Sequence, residues 1–311
     1  MKRHNRKVIQ GILNHSYQRT INGYLLFYTV IDYLVLFTAF CQAATRFNIR
    51  ILTLCLMPDH VHHSSIAERR KDLSAFAQLY TSEYAKSFNL FCGTRGSLFR
   101  SPFGSVPKVG DKNARSNFIY VYNNPAERRL VKMAEEYRWN FLAYARSTHP
   151  FSDPIKLSQA SCHLRRCIKL VDAQHKDGLY LNHSILNRMF NKLDKRETEQ
   201  LTDYIISTYS VIDHEAAIRF FGDYERMLTA VHSTTGKEYD LNEIFVGKSD
   251  ECYEKMTGLL LDAFHFKDIH IIIGLDSEKK YELYTYLLGK TSATPEQVAK
   301  FLHLRLHRDG K

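Results

Sequence analysis

The sequence predicts an α+β fold: a ferredoxin-like antiparallel sheet with helices on one face, followed by an all-helical second half. Three observations carry that expectation. Short apolar runs of strand length alternate with longer amphipathic segments through residues 1–147, the pattern of a layered α+β domain. The stretch Thr148–Pro154 holds two of the seven prolines and reads as the start of a linker over residues 148–156. Residues 157–311 then carry helical periodicity and little else.

The elements follow in order. A basic beginning (Lys2, Arg3, Arg6, Lys7) leads to Asn22-Gly23, a hairpin or turn signal. Tyr24 to Val30 reads as a strand. Asp32 is the expected cap of a helix from Tyr33 to Phe47, with Leu34, Phe37, Phe40, Cys41 and Ala44 on its apolar face. Ile49 to Ser64 reads as one buried strand. A second helix follows Arg69-Arg70-Lys71 and runs from Asp72 to Asn89, with Leu73, Phe76, Leu79, Tyr80 and Tyr84 at helical spacing. Gly93 to Gly110 reads as loop and strand, and a third helix spans about Asn113 to Glu135.

In the second half the expected helices are Leu157–Val171, Leu181–Leu193, Arg196–Tyr209, His214–Phe221, Asp223–Thr234, Glu251–Phe266, Glu278–Leu288 and Pro295–Leu306. The last begins well, with Thr294 as cap, Pro295 in first position and Gln297 closing a capping box. Residues 282–306 fit a partial helix-turn-helix. A docking helix of an α bundle fits them equally.

Composition narrows the partners. The chain has 311 residues and a formal net charge of +10. Residues 1–150 hold 21 Lys and Arg against 9 Asp and Glu, while the remainder hold 22 against 24. Such a concentration of positive charge favours a nucleic-acid partner for the first half. The six cysteines form no C-x-x-C pair, and Cys41, Cys55 and Cys92 read as reduced core thiols. The most apolar window, Tyr24–Cys41, is too short to span a bilayer and contains Asp32. With no signal-peptide pattern at its start, the chain is expected in the cytoplasm, without a membrane partner.

The stretch with the densest chemistry is Met57-Pro58-Asp59-His60-Val61-His62-His63. In a strand, His60 and His62 share a face and Val61 takes the other. Two imidazoles on one face can hold a divalent metal with positions left open, or be ordinary half-buried histidines. The second stretch is Tyr120-Val121-Tyr122-Asn123-Asn124-Pro125. Tyr120 and Asn124 are one helical turn apart, hence on one face, whereas Tyr122 is turned away. Together with the histidines they make a two-His, one-amide site for Mg²⁺ or Mn²⁺ beside a phenol. Such a phenol is a candidate nucleophile at a phosphate.

At these residues the sequence resembles the single-tyrosine HUH transposases, in particular the REP-associated tyrosine transposase group. Met57 to His62 is similar to that family's Met-Pro-Asn-His-Val-His strand, with Asp59 in place of Asn. Tyr120, Val121, Asn124 and Pro125 match its Tyr-Ile-x-x-Asn-Pro helix motif. Leu130-Val131 and Tyr137-Arg138-Trp139 look like its following segments, and His15 with Gln18-Arg19 resembles its first-strand motif. The chain departs from the pattern at His63, where an apolar residue is usual, and at Arg100-Ser101-Pro102-Phe103.

The resemblance covers roughly residues 10–145. It implies that Tyr120 is the nucleophile and that His60, His62 and Asn124 are metal ligands. It further implies a metal-dependent single-strand DNA endonuclease and strand transferase, acting in transposition on single-stranded or hairpin DNA and nucleoid-associated when bound to it. His15, Arg19, Arg69, Arg70, Lys71, Arg95, Arg100, Arg128 and Arg129 would line the DNA path, with Phe99 and Phe103 offered for base stacking. The competing readings are a domesticated DNA-binding protein without transposition activity and a phosphohydrolase that uses water. Monomer and homodimer are both left open.

Overall fold

The computed structural model describes residues 7–233 and 249–306. Lys2, Arg3 and Arg6 of the basic start, and Thr234 at the expected end of one helix, lie outside the described residues. The first half runs β1 (Leu13–Arg19), α1 (Val30–Arg46), β2 (Arg50–Met57), β3 (His60–Ile66), α2 (Arg70–Cys92), β4 (Gly104–Pro107) and α3 (Asp111–Glu127). The sheet order is β2-β3-β1-β4 with every neighbouring pair antiparallel. This is the split β-α-β arrangement, in which β3 lies between β1 and β2.

Two expected strands are drawn differently. Residues 49–64 are not one strand: Pro58 and Asp59 turn the chain, and Met57 pairs with His60 across a tight hairpin. Proline cannot donate to a ladder, so the strand ends there. Tyr24–Val30 is no strand either. Leu25, Leu26 and Phe27 are buried in succession, and the Leu26 N–H goes to the Pro58 carbonyl at 2.9 Å instead of into the sheet. The third helix is shorter than expected, closing at Glu127, with Arg129 in a left-handed conformation (φ 57°).

Helices cover both faces of the sheet, not one. His63 points to the α1/α2 side, its ring 5.3 Å from Phe40 and 5.5 Å from Phe76. Its neighbour His62 points the opposite way, against Tyr120 of α3. The second face carries His15, His60, His62 and Ser64, all buried. Polar groups out of water need partners, and α3 supplies some: Ser64 Oγ donates to Asn117 Oδ1 at 2.7 Å and receives a bond from Thr53 Oγ1 at 2.7 Å.

The second half contributes α4 (Cys162–Lys176), α5 (His183–Phe190), α6 (Lys195–Tyr209), α7 (His214–Arg219), α8 (Tyr224–Ser233), α9 (Cys252–Phe264), α10 (Ile271–Gly274), α11 (Ser277–Lys290) and α12 (Pro295–Phe301). Among the described residues the one-turn α10 is the helix that sequence periodicity does not predict, while α4 starts at Cys162 and not Leu157, and α12 closes at Phe301 and not Leu306. These helices share a core with the first half. From Leu34 to Phe40 every residue of α1 is buried, and Leu34, Val35, Leu36, Phe37 and Phe40 share one cluster with Leu164, Leu181, Ile205, Tyr209 and Phe301. A helix buried on all sides is a core helix, and each such Leu or Phe contributes about 1.5–3 kcal/mol. The edge of β2 is covered too, by a parallel bridge from Ile51 to Ile212. α12 docks through Val298, Phe301 and Leu302. The Phe301 carbonyl accepts from Tyr28 Oη at 2.7 Å, and that of Lys300 from Leu25 N–H at 3.3 Å.

A buried charge cluster ties the halves together. Asp32, in the first turn of α1, accepts the Tyr28 and Thr29 N–H groups at 2.9 and 2.8 Å. It also meets His183 Nε2 at 3.1 Å and His270 Nε2 at 2.9 Å. Burial alone would raise its pKa, but His270 and His183 outweigh that and hold the carboxyl well below the usual range. None of the helices among the described residues is long and apolar enough to cross a membrane.

Candidate active site

β1, β3 and α3 bring four side chains together on the α3 side of the sheet. His60 and His62 alternate with Val61, which enters the α1/α2 core. Their rings lie 4.8 Å apart. Tyr120 meets His62 edge-on, with centroids 5.4 Å apart, and meets His15 at 5.5 Å. The registers of β1 and β3 place Tyr17 opposite His62, two residues along from His15. His15 Nε2 therefore reaches His62 Nδ1 diagonally, at 3.0 Å.

Asn124 lies one turn beyond Tyr120, is buried, and its Oδ1 has no hydrogen-bond partner. An amide acceptor in that state costs roughly 1–3 kcal/mol, and a cation is the kind of partner that would offset it. His60 and His62 with Asn124 form the set that would hold a divalent ion. Among the described residues, no three His, Cys, Asp or Glu side chains converge as a closed cage. A site of two imidazoles and one amide leaves positions for phosphate oxygens.

Tyr122 faces elsewhere. It is buried in a second cluster with Phe118, Leu13, Leu52 and Leu142, and its hydroxyl has no hydrogen-bond partner. Burial, with Tyr224 adding to it, raises its phenol pKa well above the ordinary value.

Of the residues expected on a DNA path, Arg19, Arg100 and Arg128 converge. With Lys300 they line a cleft of about 560 Å³ that also touches Asp59, His60 and the Thr20–Gly23 turn. His15 is buried within the Tyr120 cluster and not on a DNA-facing surface. Arg69, Arg70, Lys71, Arg95 and Arg129 are exposed but do not line this cleft, and Arg69 pairs with Asp72 at 2.7 Å. Phe99 and Phe103, expected to stack on bases, are buried in the main core. The Phe99 ring packs against that of Tyr84, with centroids 5.8 Å apart, where burial outweighs exposure for an aromatic ring.

Three residues escaped the sequence reading as parts of the site. In the sequence Asp59 stands out only as a departure from a motif; in the fold its Oδ1 lies 2.6 Å from His60 Nδ1. Burial would raise its pKa, but His60 and then Lys300 outweigh this and hold it well below the carboxylate range. Lys300 of α12 reaches Asp59 Oδ2 at 2.9 Å. Asp250, whose N–H donates to the Arg128 carbonyl at 3.2 Å, has its pKa pushed up to about 6 by burial and then by the Asp59 charge. Nothing local in the sequence marks Lys300 or Asp250.

No protein-family model and no curated protein matches the chain. Among solved structures, the chain is similar to a REP-associated tyrosine transposase bound to a REP hairpin. The two share 19% identity over 47% of this chain and 87% of that one, with a TM-score of 0.41.

Proposed function

We propose that this protein is a metal-dependent single-strand DNA endonuclease and strand transferase that acts in transposition through a 5′-phosphotyrosine intermediate. One observation carries the reading: Tyr120 lies edge-on to His62, beside His60, with the orphan Asn124 Oδ1 one turn away on the same helix. The paired His and Tyr motifs in the sequence add to it.

In this reading His60, His62 and Asn124 hold Mg²⁺ or Mn²⁺, which when bound polarises the scissile phosphate and offsets its developing charge. The protein's own groups do the rest. Arg19, Arg100, Arg128 and Lys300 attract the sugar-phosphate chain into the cleft beside His60. The Tyr120 phenol gives up its proton to water, and its Oη attacks phosphorus. The bond to the 3′-oxygen breaks, and that oxygen takes a proton from water and leaves as a free 3′-hydroxyl. The 5′-phosphate stays on Tyr120 as an ester, which conserves the bond for rejoining. Attack by another 3′-hydroxyl releases the phenol and joins the strands.

The test is to incubate the protein with hairpin-bearing single strands and Mn²⁺ and resolve the products on a denaturing gel. A covalent protein–DNA adduct is expected. Cleavage without an adduct would make water the nucleophile, and binding without cleavage would leave a DNA-binding protein alone.

A further inference from the structure

We propose that the Asp59–Lys300 ion pair is a positioning device for His60, so that α12, from the far end of the chain, completes the candidate metal site. The proposal rests on the reading of His60 as a metal ligand. It concerns how that imidazole is set up before any cation arrives.

The geometry is specific. The two oxygens of the Asp59 carboxylate are divided between two partners. Oδ1 meets His60 Nδ1 at 2.6 Å and Oδ2 meets Lys300 Nζ at 2.9 Å. A carboxylate only accepts, so the imidazole must donate from Nδ1. In the neutral ring this places the lone pair on Nε2, at the opposite end, which makes Nε2 the ligand atom. A carboxylate on the far nitrogen also raises the basicity of a metal-binding imidazole and fixes its plane. At this position the related motif carries Asn, which has an acceptor oxygen but no charge. Asp59 therefore adds a charge to the orientation, and that charge needs a counter-ion.

Lys300 is the counter-ion, and it is itself held in place. The side chain is 20% exposed and that of Asp59 16%, so the pair is half-sheltered and not a loose surface contact. The lysine stem runs over Gly23, where a Cβ would stand 3.2 Å from Lys300 Cε. Its backbone carbonyl is bonded to Leu25, and α12 is anchored by Phe301 and Leu302 in the core. The Leu26 N–H holds the Pro58 carbonyl at 2.9 Å, which fixes the turn that carries Asp59. Turn, carboxylate, ammonium and helix thus form one connected support behind His60.

The test uses full-length protein and two readouts. In the first, ¹⁵N spectra of histidine-labelled, metal-free protein at neutral pH report the tautomer of His60, assigned by comparison with H60A. The wild type should show the Nδ1–H form, D59A a mixture shifted toward Nε2–H, and K300M a smaller shift in the same sense. D59N should retain most of the Nδ1–H form, because its amide oxygen still accepts. In the second, Mn²⁺ affinity is measured by titration calorimetry. D59A should bind about 10–100-fold more weakly than wild type, with D59N and K300M in between. A wild-type tautomer in D59A and in K300M, or unchanged Mn²⁺ affinity in both, overturns the proposal. If D59A does not fold, the isosteric D59N and K300M decide it. Wild-type protein that binds no Mn²⁺ at all overturns the metal-site reading instead, and the tautomer spectra then still decide whether Asp59 sets the ring.

Discussion

His15 Nε2 lies 3.0 Å from His62 Nδ1, and both rings face Tyr120. The contact makes His62 a member of a buried group, held from behind as His60 is held by Asp59. His63, next along the strand, has a different setting: burial lowers its pKa to about 3, so it stays neutral among Phe40 and Phe76. The two neighbours should therefore fail differently. H62A is expected to abolish cleavage with DNA binding largely kept, because phosphate contacts supply most of the affinity. H63A is expected to leave cleavage in the folded fraction near normal but to cost about 2–4 kcal/mol of stability through the cavity it opens. Gel assays of cleavage and urea denaturation separate the two. Equal loss of cleavage in folded H63A would show that the strand's two faces are not divided this way.

Tyr120 and Tyr122 make a second contrast. On a helix they stand about 200° apart, and they fall in different clusters. Y120F should lose the covalent adduct and keep the fold. Y122F should keep the adduct. The Tyr122 hydroxyl is buried without a hydrogen-bond partner, so its removal relieves a desolvation penalty and should be neutral or stabilising by up to about 1 kcal/mol. An adduct that persists in Y120F and disappears in Y122F would exchange the two roles.

These contrasts were legible because they rest on local periodicity. The period of two in β3 places His60 and His62 together whether or not the strand continues from β2, so missing the turn at Pro58-Asp59 did not disturb their relation. The helical period does the same for Tyr120 and Asn124. What the sequence could not show is what arrives from a distance. Lys300 reaches Asp59 across 241 positions, and no pattern around either residue encodes the meeting. Tyr24–Val30 differs from the expected strand for a related reason. Its apolar character is real, but its backbone bonds go to a turn and to α12, partners visible only in three dimensions.

The buried Asp32 cluster makes stability depend on pH in a definite direction. Burial would lower the His270 pKa, but Asp32 and then Asp268 outweigh it and push it up to about 10. A group whose folded pKa is raised contributes stability that is fully present below its unfolded value of about 6.5. That contribution is lost as pH rises from there through 10. Asp32 is depressed, so its contribution is present above about 3.9 and is lost as pH falls below that. The urea midpoint should accordingly decline between neutral pH and pH 10 in the wild type, and much less in H270Q. D32N, which leaves the buried His270 imidazolium with Asp268 alone, should cost about 3–5 kcal/mol at neutral pH. A wild-type midpoint that is flat over the alkaline range would mean that His270 is neutral in the fold.

The cleft beside His60 makes the final prediction, about salt. Arg19, Arg100, Arg128 and Lys300 come from β1, the segment before β4, the end of α3 and α12. Their convergence is a property of the fold and not of any basic run in the sequence. Arg69, Arg70 and Lys71 do form such a run, but they do not line the cleft. If single-stranded DNA enters beside His60, each arginine that neutralises a phosphate adds about 0.7 to the slope of log affinity against log salt for a single strand. R19A and R100A should each lower affinity and flatten that slope by about this amount, with little change among strands of different sequence. R70A and K71A should leave the slope nearly unchanged. Lys300 is left out of this comparison, because removing it also releases Asp59 and would mix two effects. Fluorescence anisotropy with a labelled single strand over a range of salt reads all four variants. A slope that flattens in R70A and K71A but not in R19A and R100A would move the DNA path to the start of α2, away from His60 and Tyr120.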